Sequence, residues 1–307
     1  MAISSRPAGP AGAVPWHRRT ETRDKAAAAA FLAPNLVLYT LFVLIPTVVG
    51  VVLGFFHWDL FGSPQWAGLE NYRRLFSDSV MWHSLGRTAL YLLFGVVPTV
   101  LLGFMLAVLV SSKMRGVAVV RTLFFVPMIV SSAVCSVLWA WLYQPSSGII
   151  NTILGWFGID GPAWLVDTTW ALPAITIMLI WMALPLVIML YLAALQRIPE
   201  NIYEAARLDG AGPWTRLWKI TWPNVSGITA LIFALQVVNF MGAPFEVSLM
   251  MTNGGPLEST QALSLYIYKV AFEQSDFGYA SALSMLQFVM ILVVGGGMRL
   301  IQRSRRG

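Results

Sequence analysis

The chain has 307 residues, of which 57% are hydrophobic and only 11% are charged. This composition excludes a soluble globular domain and is typical of a chain that lies mostly in a lipid bilayer. The net charge of +6 would suit nucleic acid, but the basic residues are not gathered into one patch, so no nucleic-acid partner is expected. The single cysteine, Cys135, excludes a disulfide framework and a thiolate metal cluster.

Residues 1–25 are rich in Pro, Gly, Ala and Arg, and we expect a mobile cytoplasmic tail there, before a membrane domain at 26–307. Six apolar segments follow, each with about the twenty residues that a helix needs to cross the hydrocarbon. The predicted spans are residues 30–56, 86–111, 118–143, 169–195, 225–250 and 278–301. They are interrupted by Pro46, Pro98, Pro127, Pro173, Pro185 and Pro244, and a helix bundle tolerates such kinks. The expected fold is an all-α membrane protein with six transmembrane helices.

The Lys and Arg residues predict how these spans are oriented. Sixteen of the twenty lie in the tail, in the second and fourth loops, or at the end of the chain. The other four lie on the opposite side and are Arg73, Arg74, Arg87 and Lys269. Because Lys and Arg concentrate on the cytoplasmic side of a membrane protein, both termini and the fourth loop are predicted to be cytoplasmic.

The fourth loop contains a polar stretch between two long apolar runs, EAARLDGAGPWTRLWKITWP at residues 204–223. Good helix formers occupy 199–208, and Gly210 and Gly212 then break the helix. Pro213 suits the first turn of a second helix, where its missing N–H would have no partner anyway. The stretch therefore predicts two short helices around a glycine hinge. Physical reasoning alone leaves open an ordinary loop that lies on the membrane surface.

The spacing of this stretch resembles the EAA loop in permease subunits of binding-protein-dependent ABC importers. In that family EAA is followed by three residues, Gly, nine residues, Ile, any residue, Leu and Pro. Here Trp222 replaces the Leu, and every other element is present. The resemblance implies that residues 199–223 couple the chain to an ATPase subunit. The implied coupling residues are Glu204, Ala205, Ala206, Asp209, Gly210, Ile220 and Pro223.

The resemblance extends over about residues 31–302 and is strongest to permeases of maltose, glycerol-3-phosphate and related carbohydrate importers. It is carried by Gly116, Arg121, Pro127, Trp139, Pro145, Gly148, Asn151, Trp181, LAALQRIP at 192–199, NGGP at 253–256 and YIYKVAF at 266–272. It implies the type I importer permease fold in a bacterial cytoplasmic membrane. The implied partners are a second permease in a heterodimer, two ABC ATPase subunits and an extracytoplasmic solute-binding protein. The implied cargo is a carbohydrate, an amino sugar or a glycerophosphate.

The sequence predicts no chemistry within the chain itself. It has no GxxxxGK[ST] phosphate loop, so we expect ATP and Mg to be bound by the partner ATPase subunits and no cofactor by this chain. The three histidines show no metal-ligand spacing, so no metal site is expected. No GxSxG elbow is present, so no catalytic residue is assigned. The chain is predicted to be a transport subunit and not an enzyme.

Polar residues inside the fifth span predict a path for the solute. At about 100° per residue, Gln236, Asn239 and Glu246 share an arc of about 80° that also contains Ala243. A carboxylate at membrane depth costs about 2.5–3.5 kcal/mol and usually faces a cavity or a partner. The alternatives are that Glu246 reaches water at the outer end of the span, or that it pairs with a neighbouring subunit.

Two tryptophans are added to this candidate path, Trp181 and Trp139. Their rings would stack on the C–H face of a sugar, although periodicity alone does not say which way they point.

Two functional hypotheses of different classes remain. The first is a permease that moves solute only when a partner ATPase acts on the coupling loop. The second is a self-sufficient secondary carrier or channel. Secondary carriers tend to show inverted repeats and paired ionisable residues at mid-membrane. Here only Glu246 is embedded and the second half does not mirror the first, which favours the permease.

Overall fold

The computed structural model describes the backbone of residues 16–111 and 124–304, with side chains at 25, from 27 to 111 and from 124 to 297. This part of the chain is mostly helical. Its helices are α1 (Trp16–Tyr39), α2 (Ile45–Leu53), α3 (Glu70–Ser77), α4 (Ser79–Tyr91), α5 (Val97–Ser111), α6 (Ser132–Leu142), α7 (Ile149–Trp156), α8 (Ala171–Leu195), α9 (Glu200–Leu208), α10 (Pro213–Arg216), α11 (Trp222–Asn224), α12 (Ser226–Gly242), α13 (Pro244–Met251), α14 (Leu263–Tyr268) and α15 (Phe277–Ser304). Wide π-type turns lie at Thr40–Leu44, Leu92–Val96, Leu217–Thr221 and Lys269–Glu273, and a 3₁₀ turn lies at Val126–Met128.

Five helical stretches in the described chain are long and apolar enough to cross a membrane, where six spans were predicted. They are Ala27–Leu53, Ser79–Ser111, Ala171–Leu195, Ser226–Met251 and Phe277–Gly297. The third predicted span, 118–143, is the exception. Residues 118–123 lie outside the described part, and the continuous helix that follows is α6, with 11 residues. At 1.5 Å per residue it covers about 16 Å, roughly half of the hydrocarbon.

Two predicted span boundaries were wrong, and local chemistry explains both. The first span ends at Leu53 and not at 56, because strand β1 (Phe56–His57) pairs antiparallel with β2 (Gln65–Trp66). This hairpin is also a departure from the all-α prediction. The second span begins at Ser79 and not at 86, because the Asp78 carboxylate accepts hydrogen bonds from two backbone N–H groups of the first turn of α4. At the N-terminus, α1 begins at Trp16, within the stretch predicted as a tail.

Proline accounts for three of the wide turns. Each turn ends two residues before a proline, namely Pro46, Pro98 or Pro223. The proline ring clashes with the carbonyl four residues earlier and donates no hydrogen bond to it. That carbonyl lies inside the wide turn each time, so widening the helix locally relieves the clash and lets the helix continue.

The contacts divide the chain into two units, residues 1–52 and 53–307. Within the second unit, α5 and α8 pack closely, because Gly103 allows a near approach. A Cβ atom at Gly103 would lie 2.3 Å from Val187 Cγ1, which leaves no room for any side chain. The consecutive residues 174–176 of α8 are all buried, as expected for a helix that is surrounded by others.

A second cluster in the same unit joins α3, α4, α14 and α15 through Asp78. The hydroxyls of Tyr266 and Tyr279 both donate to Asp78 Oδ2 at 2.6 Å. Burial raises the pKa of the Asp78 carboxyl, but these bonds and the two backbone N–H bonds outweigh it, so the pKa is lowered overall. Arg74 lies over the Tyr279 ring and forms an ion pair with Asp276 at 2.7 Å. This network fixes the connection between α14 and α15.

Candidate functional site

Residues 199–223, which we call the coupling loop, form a short helix, a glycine turn and a second short helix. Helix α9 ends at Leu208, and Gly210 follows with φ of +77°. The Ala211 N–H donates to the Ala206 carbonyl at 2.9 Å, closing the turn typical of a helix that ends in a left-handed glycine. Helix α10 then begins with Pro213 in its first turn. The two-helix geometry predicted from the glycines and Pro213 is therefore confirmed.

Helix α9 has one inward face and one outward face, and the two alanines of the EAA motif are divided between them. Ala206 is only 7% exposed. Glu204, Ala205 and Leu208 are exposed, and Leu208 is 90% exposed. Within the described chain the side chain of Glu204 makes no hydrogen bond or ion pair. The outward face offers a carboxylate and an apolar side chain together.

The remaining motif residues differ in how exposed they are and in which element they belong to. Asp209 lies at the C-terminal end of α9 and is exposed, while Ile220 is half-buried in the wide turn Leu217–Thr221. Pro223 lies in α11 and is exposed. The structure thus brings the predicted coupling residues into one loop, with the outward face of α9 as its most exposed part.

A hydrogen-bond chain across the loop was not predicted from the sequence. The Tyr203 hydroxyl lies 3.1 Å from Thr221 Oγ1, and the Thr221 hydroxyl donates to the Arg216 carbonyl at 3.2 Å. Since the Thr221 proton is used on Arg216, Tyr203 is the donor of the first bond. The two hydrogen bonds tie α9 to the wide turn, since Thr221 lies 18 residues after Tyr203. A tyrosine and a threonine at that separation carry no pattern that would reveal the bond in advance.

A cavity of about 340 Å³ lies at the fifth span, between α6, α8, α12 and α13. Asn239 and Glu246 line it, and so does Ala243, which shares their predicted arc. Its other polar wall residue is Ser132, and most of the remaining lining is apolar. The structure therefore brings two of the three predicted polar residues to one concave surface.

Glu246 lies on the cavity wall and is hydrogen-bonded to a second helix. It belongs to the first turn of α13, which follows α12 after the single residue Ala243. The Ser132 hydroxyl donates to Glu246 Oε2 at 2.5 Å and joins α13 to α6 across the cavity wall. Glu246 therefore lies on a cavity wall, which was one of the alternatives left open by the sequence. Ser132 was missed, because a serine 114 residues away in another helix gives no sequence signal.

The other three predicted pathway residues do not line this cavity. Gln236 is buried, and its side-chain oxygen accepts a hydrogen bond from the Asn239 amide at 3.4 Å. Trp139 and Trp181 contact each other with ring centroids 5.6 Å apart and pack against the hydrophobic core. Gln236 therefore orients Asn239 from behind, while the two indoles support the surrounding helices.

Known proteins resemble this chain over most of its length. Residues 99–307 match the model of the family described as "Binding-protein-dependent transport system inner membrane component". The chain is 35% identical to a probable ABC transporter permease protein, YurN, of Bacillus subtilis, over 86% of this chain and 91% of the relative. It is 32% identical to SmoG, the sulfoquinovosyl glycerol transport system permease protein of Agrobacterium fabrum, over 91% of each.

A solved structure shows the same fold. A chain of a bacterial ABC transporter involved in the import of the acidic polysaccharide alginate superposes with a TM-score of 0.81. The match covers 94% of this chain and 99% of the other, at 21% sequence identity. At that level of identity the likeness concerns the fold, which is the type I importer permease fold.

Proposed function

Because this chain belongs to the family of binding-protein-dependent transport system inner membrane components, we propose that it is the permease subunit of an ATP-driven importer for a sugar or sugar-like solute. The observation that carries this proposal is the outward face of α9. This face presents Glu204 and Leu208 without a partner in the described chain, in a loop between two spans. An ATPase subunit that docks on this loop would cover both side chains.

The proposed assembly contains a second permease, two ABC ATPase subunits that bind ATP and Mg, and an extracytoplasmic solute-binding protein. The chain crosses a bacterial cytoplasmic membrane six times with both termini in the cytoplasm. Support for this orientation comes from the distribution of Lys and Arg. The crossing that is not among the five long helices is the third along the chain, 118–143, of which residues 118–123 lie outside the described part.

The proposed mechanism uses the coupling loop and the cavity in turn. The binding protein releases solute into a cavity between the two permeases. Closure of the ATPase subunits pushes on α9, and the spans attached to it switch the cavity from inward-facing to outward-facing. Hydrolysis then resets the assembly. The chain contributes the docking face, the helices that move, and one wall of the cavity.

The cavity wall supports a hydroxyl-rich cargo. Removing a sugar hydroxyl from water without a replacement hydrogen bond costs about 1–3 kcal/mol, so an entirely apolar wall would reject it. Asn239 supplies a donor and an acceptor, and Glu246 supplies a carboxylate whose second oxygen has no hydrogen bond in the described chain. The relatives' names add support, since SmoG serves a sulfoquinovosyl glycerol system. A carbohydrate, an amino sugar or a glycerophosphate remains the proposed class.

Reconstitution tests the function directly. The cognate binding protein is first screened by thermal shift against neutral sugars, amino sugars and glycerophosphodiesters. The compound that it binds is then offered to liposomes holding either this chain alone or the chain with its co-purified partners. Uptake that needs ATP, both permeases and the binding protein is the expected result. Uptake by the chain alone would establish a self-sufficient carrier instead.

Orientation has its own test in whole cells. Single cysteines replace Ser63, Ser147, Thr215 or Leu257 in a Cys135→Ser background, and an impermeant thiol reagent is added outside. Leu257 stands for the loop around Thr260, because Thr260 itself is buried and Leu257 is 87% exposed. We expect labelling at 63, 147 and 257 but not at 215. The further position Ser112 is expected to be cytoplasmic and lies outside the described residues. Labelling of position 215 from outside would overturn the six-span arrangement.

A further inference from the structure

The coupling loop is joined to the protein interior by a row of aromatic rings, which we call the aromatic column. Its members are Trp214, Trp218, Trp222, Phe104 and Tyr191. We infer that the aromatic column passes movement of the docked loop to the spans that form the solute cavity, with Trp218 and Trp222 as positioning residues. This inference rests on the proposed function.

The rings form an unbroken series of close contacts. The three tryptophans follow one another every four residues, with ring centroids 5.8 Å and then 5.6 Å apart. Trp222 reaches Phe104 at 4.9 Å, and Phe104 reaches Tyr191 at 5.5 Å. All four contacts are tilted or edge-to-face, which is the arrangement that aromatic pairs prefer at such distances.

Exposure falls steadily along the column. Trp214 is 67% exposed, Trp218 and Trp222 are half-buried, and Phe104 and Tyr191 are fully buried. The column therefore begins at the surface of the coupling loop and ends in the hydrophobic core. A ring that served only to anchor the loop at the membrane surface would not need this inward continuation.

The inner end of the column touches three of the candidate spans. Phe104 belongs to α5 and Tyr191 to α8, and the Tyr191 hydroxyl donates to Thr229 Oγ1 of α12 at 3.2 Å. Helices α5 and α8 are also in close contact at Gly103 and Val187. Helices α8 and α12 both contribute to the cavity wall. Displacement of Trp222 therefore has a direct path to that wall.

The outer end of the column is fixed to the docking helix. Tyr203 of α9 is hydrogen-bonded to Thr221, at the end of the wide turn that carries Trp218. Without this bond, a displacement of α9 would change the backbone angles at Gly210 and would not reach the wide turn. With it, α9 and the wide turn move together, and the rigid indoles carry that movement inward, because close-packed interiors transmit strain.

Trp222 provides the test variant, since it occupies the position where the EAA pattern has Leu. Trp222→Leu should keep the loop folded but remove the closest contact with Phe104, leaving only the longer contact between Trp218 and Phe104 at 6.3 Å. Trp222→Phe should keep a ring in place. Trp156→Leu is the matched control, because Trp156 is 76% exposed and makes no ring contact in the described chain. The experiment uses the full chain in its co-purified complex with the ATPase subunits and the second permease.

Movement of the cavity is read by a chemical probe and not by the unidentified solute. Gly242 lines the cavity and has open space where its Cβ would be, so Gly242→Cys in a Cys135→Ser background offers a reporter thiol. Its labelling rate by a charged methanethiosulfonate reagent is measured in nanodiscs with and without a non-hydrolysable ATP analogue and Mg. We expect the nucleotide to change this rate about tenfold in the parent. That response should fall at least about threefold in Trp222→Leu and persist in Trp222→Phe and Trp156→Leu.

A double-mutant cycle guards against a purely structural explanation. Phe104→Leu interrupts the same column at its buried end, so combining it with Trp222→Leu should add little to either single effect. An unchanged nucleotide response in Trp222→Leu, or two losses that simply add, would show that the column is only an anchor. A lower yield of complex with a normal response in the assembled fraction would show the same. If the parent complex does not form, the proposed function itself fails, and the two failures are thus distinguishable.

Discussion

The coupling loop and the cavity wall are built in opposite ways. The loop is local: its stop at Gly210, its restart at Pro213 and its exposed Glu204 all lie within 25 residues of one another. The cavity wall joins side chains that are far apart in the chain, such as Ser132 and Glu246, which belong to different helices. Substitutions in the loop should therefore act through backbone conformation and docking. Those in the wall should act through the geometry of a few side chains and should have smaller effects.

The largest effect is expected at the hinge of the loop. Gly210→Val should abolish most of the yield of the four-subunit complex, because a β-branched residue resists the φ of +77° found there. Such strain costs about 1–3 kcal/mol locally and displaces α9 from its docking position. The measurement is the amount of ATPase subunit that co-purifies with the mutant chain from membranes.

The neighbouring glycine supplies the control for this prediction. Gly212 is the N-cap of α10, with an ordinary φ of −67° and open space around it. Because serine is a favoured N-cap residue, Gly212→Ser should assemble normally. Gly210→Asn should recover part of the yield, since asparagine tolerates the left-handed region. Equal yields from Gly210→Val and Gly212→Ser would show that the hinge conformation is not required.

Charge on the docking face should have the next largest effect. We propose that the exposed Glu204 carboxylate pairs with a basic group of the docked ATPase subunit, which a lysine would repel. Glu204→Lys is therefore expected to uncouple ATP hydrolysis from uptake by about tenfold or more. Folding and membrane insertion should not change, since Glu204 is exposed and makes no contact of its own in the described chain. Solute taken up per ATP hydrolysed in proteoliposomes is the quantity to measure.

Glu200→Lys separates this effect from a general loss of negative charge. Glu200 is exposed in the first turn of the same helix, about one turn away from Glu204. The change at 200 should reduce coupling much less than the change at 204. Similar losses from both would mean that the net charge of the loop matters and the position of Glu204 does not.

The contrast between the two regions also explains what the sequence could predict. Gly210 and Pro213 act on their own backbone, so the helix–turn–helix geometry of the loop followed from local rules. The helix structure of the third span did not follow from local rules. Hydropathy reports whether a segment suits lipid, and not whether its helix is continuous through the turn at Val126–Met128. Trp214, Trp218 and Trp222 are a middle case. Their four-residue spacing is visible in the sequence, but their contact with Phe104, more than 100 residues earlier, depends on how α5 packs.

Within the cavity wall, loss of the amide at Asn239 should have the larger effect. Asn239→Leu is expected to lower uptake by about five- to tenfold, because the solute loses one donor and one acceptor while the wall keeps its volume. Yield of the assembled complex should be unchanged. Initial rates are measured at solute concentrations below half-saturation, where weakened binding is most visible.

Val238→Leu is the control, since Val238 neighbours Asn239 on the same helix but does not line the cavity. It should transport at the parent rate. A normal rate for Asn239→Leu at every solute concentration would place this face against another helix and remove it from the solute path.

The smallest effect is expected at Glu246, and its size reports what the carboxylate does. The Ser132 hydroxyl donates to Glu246 Oε2, and a glutamine side-chain oxygen can accept the same bond. If Glu246 acts as an acceptor that holds α6 to α13, Glu246→Gln should lower uptake less than about threefold, and Ser132→Ala should match it. Glu246→Leu removes the acceptor and should be clearly worse than Glu246→Gln. Equal, severe losses in Glu246→Gln and Glu246→Leu, with Ser132→Ala unaffected, would instead assign the work to the negative charge. The hydrogen bond from Ser132 would then contribute little to uptake. The negative charge of Glu246 would act on the solute or on the second permease.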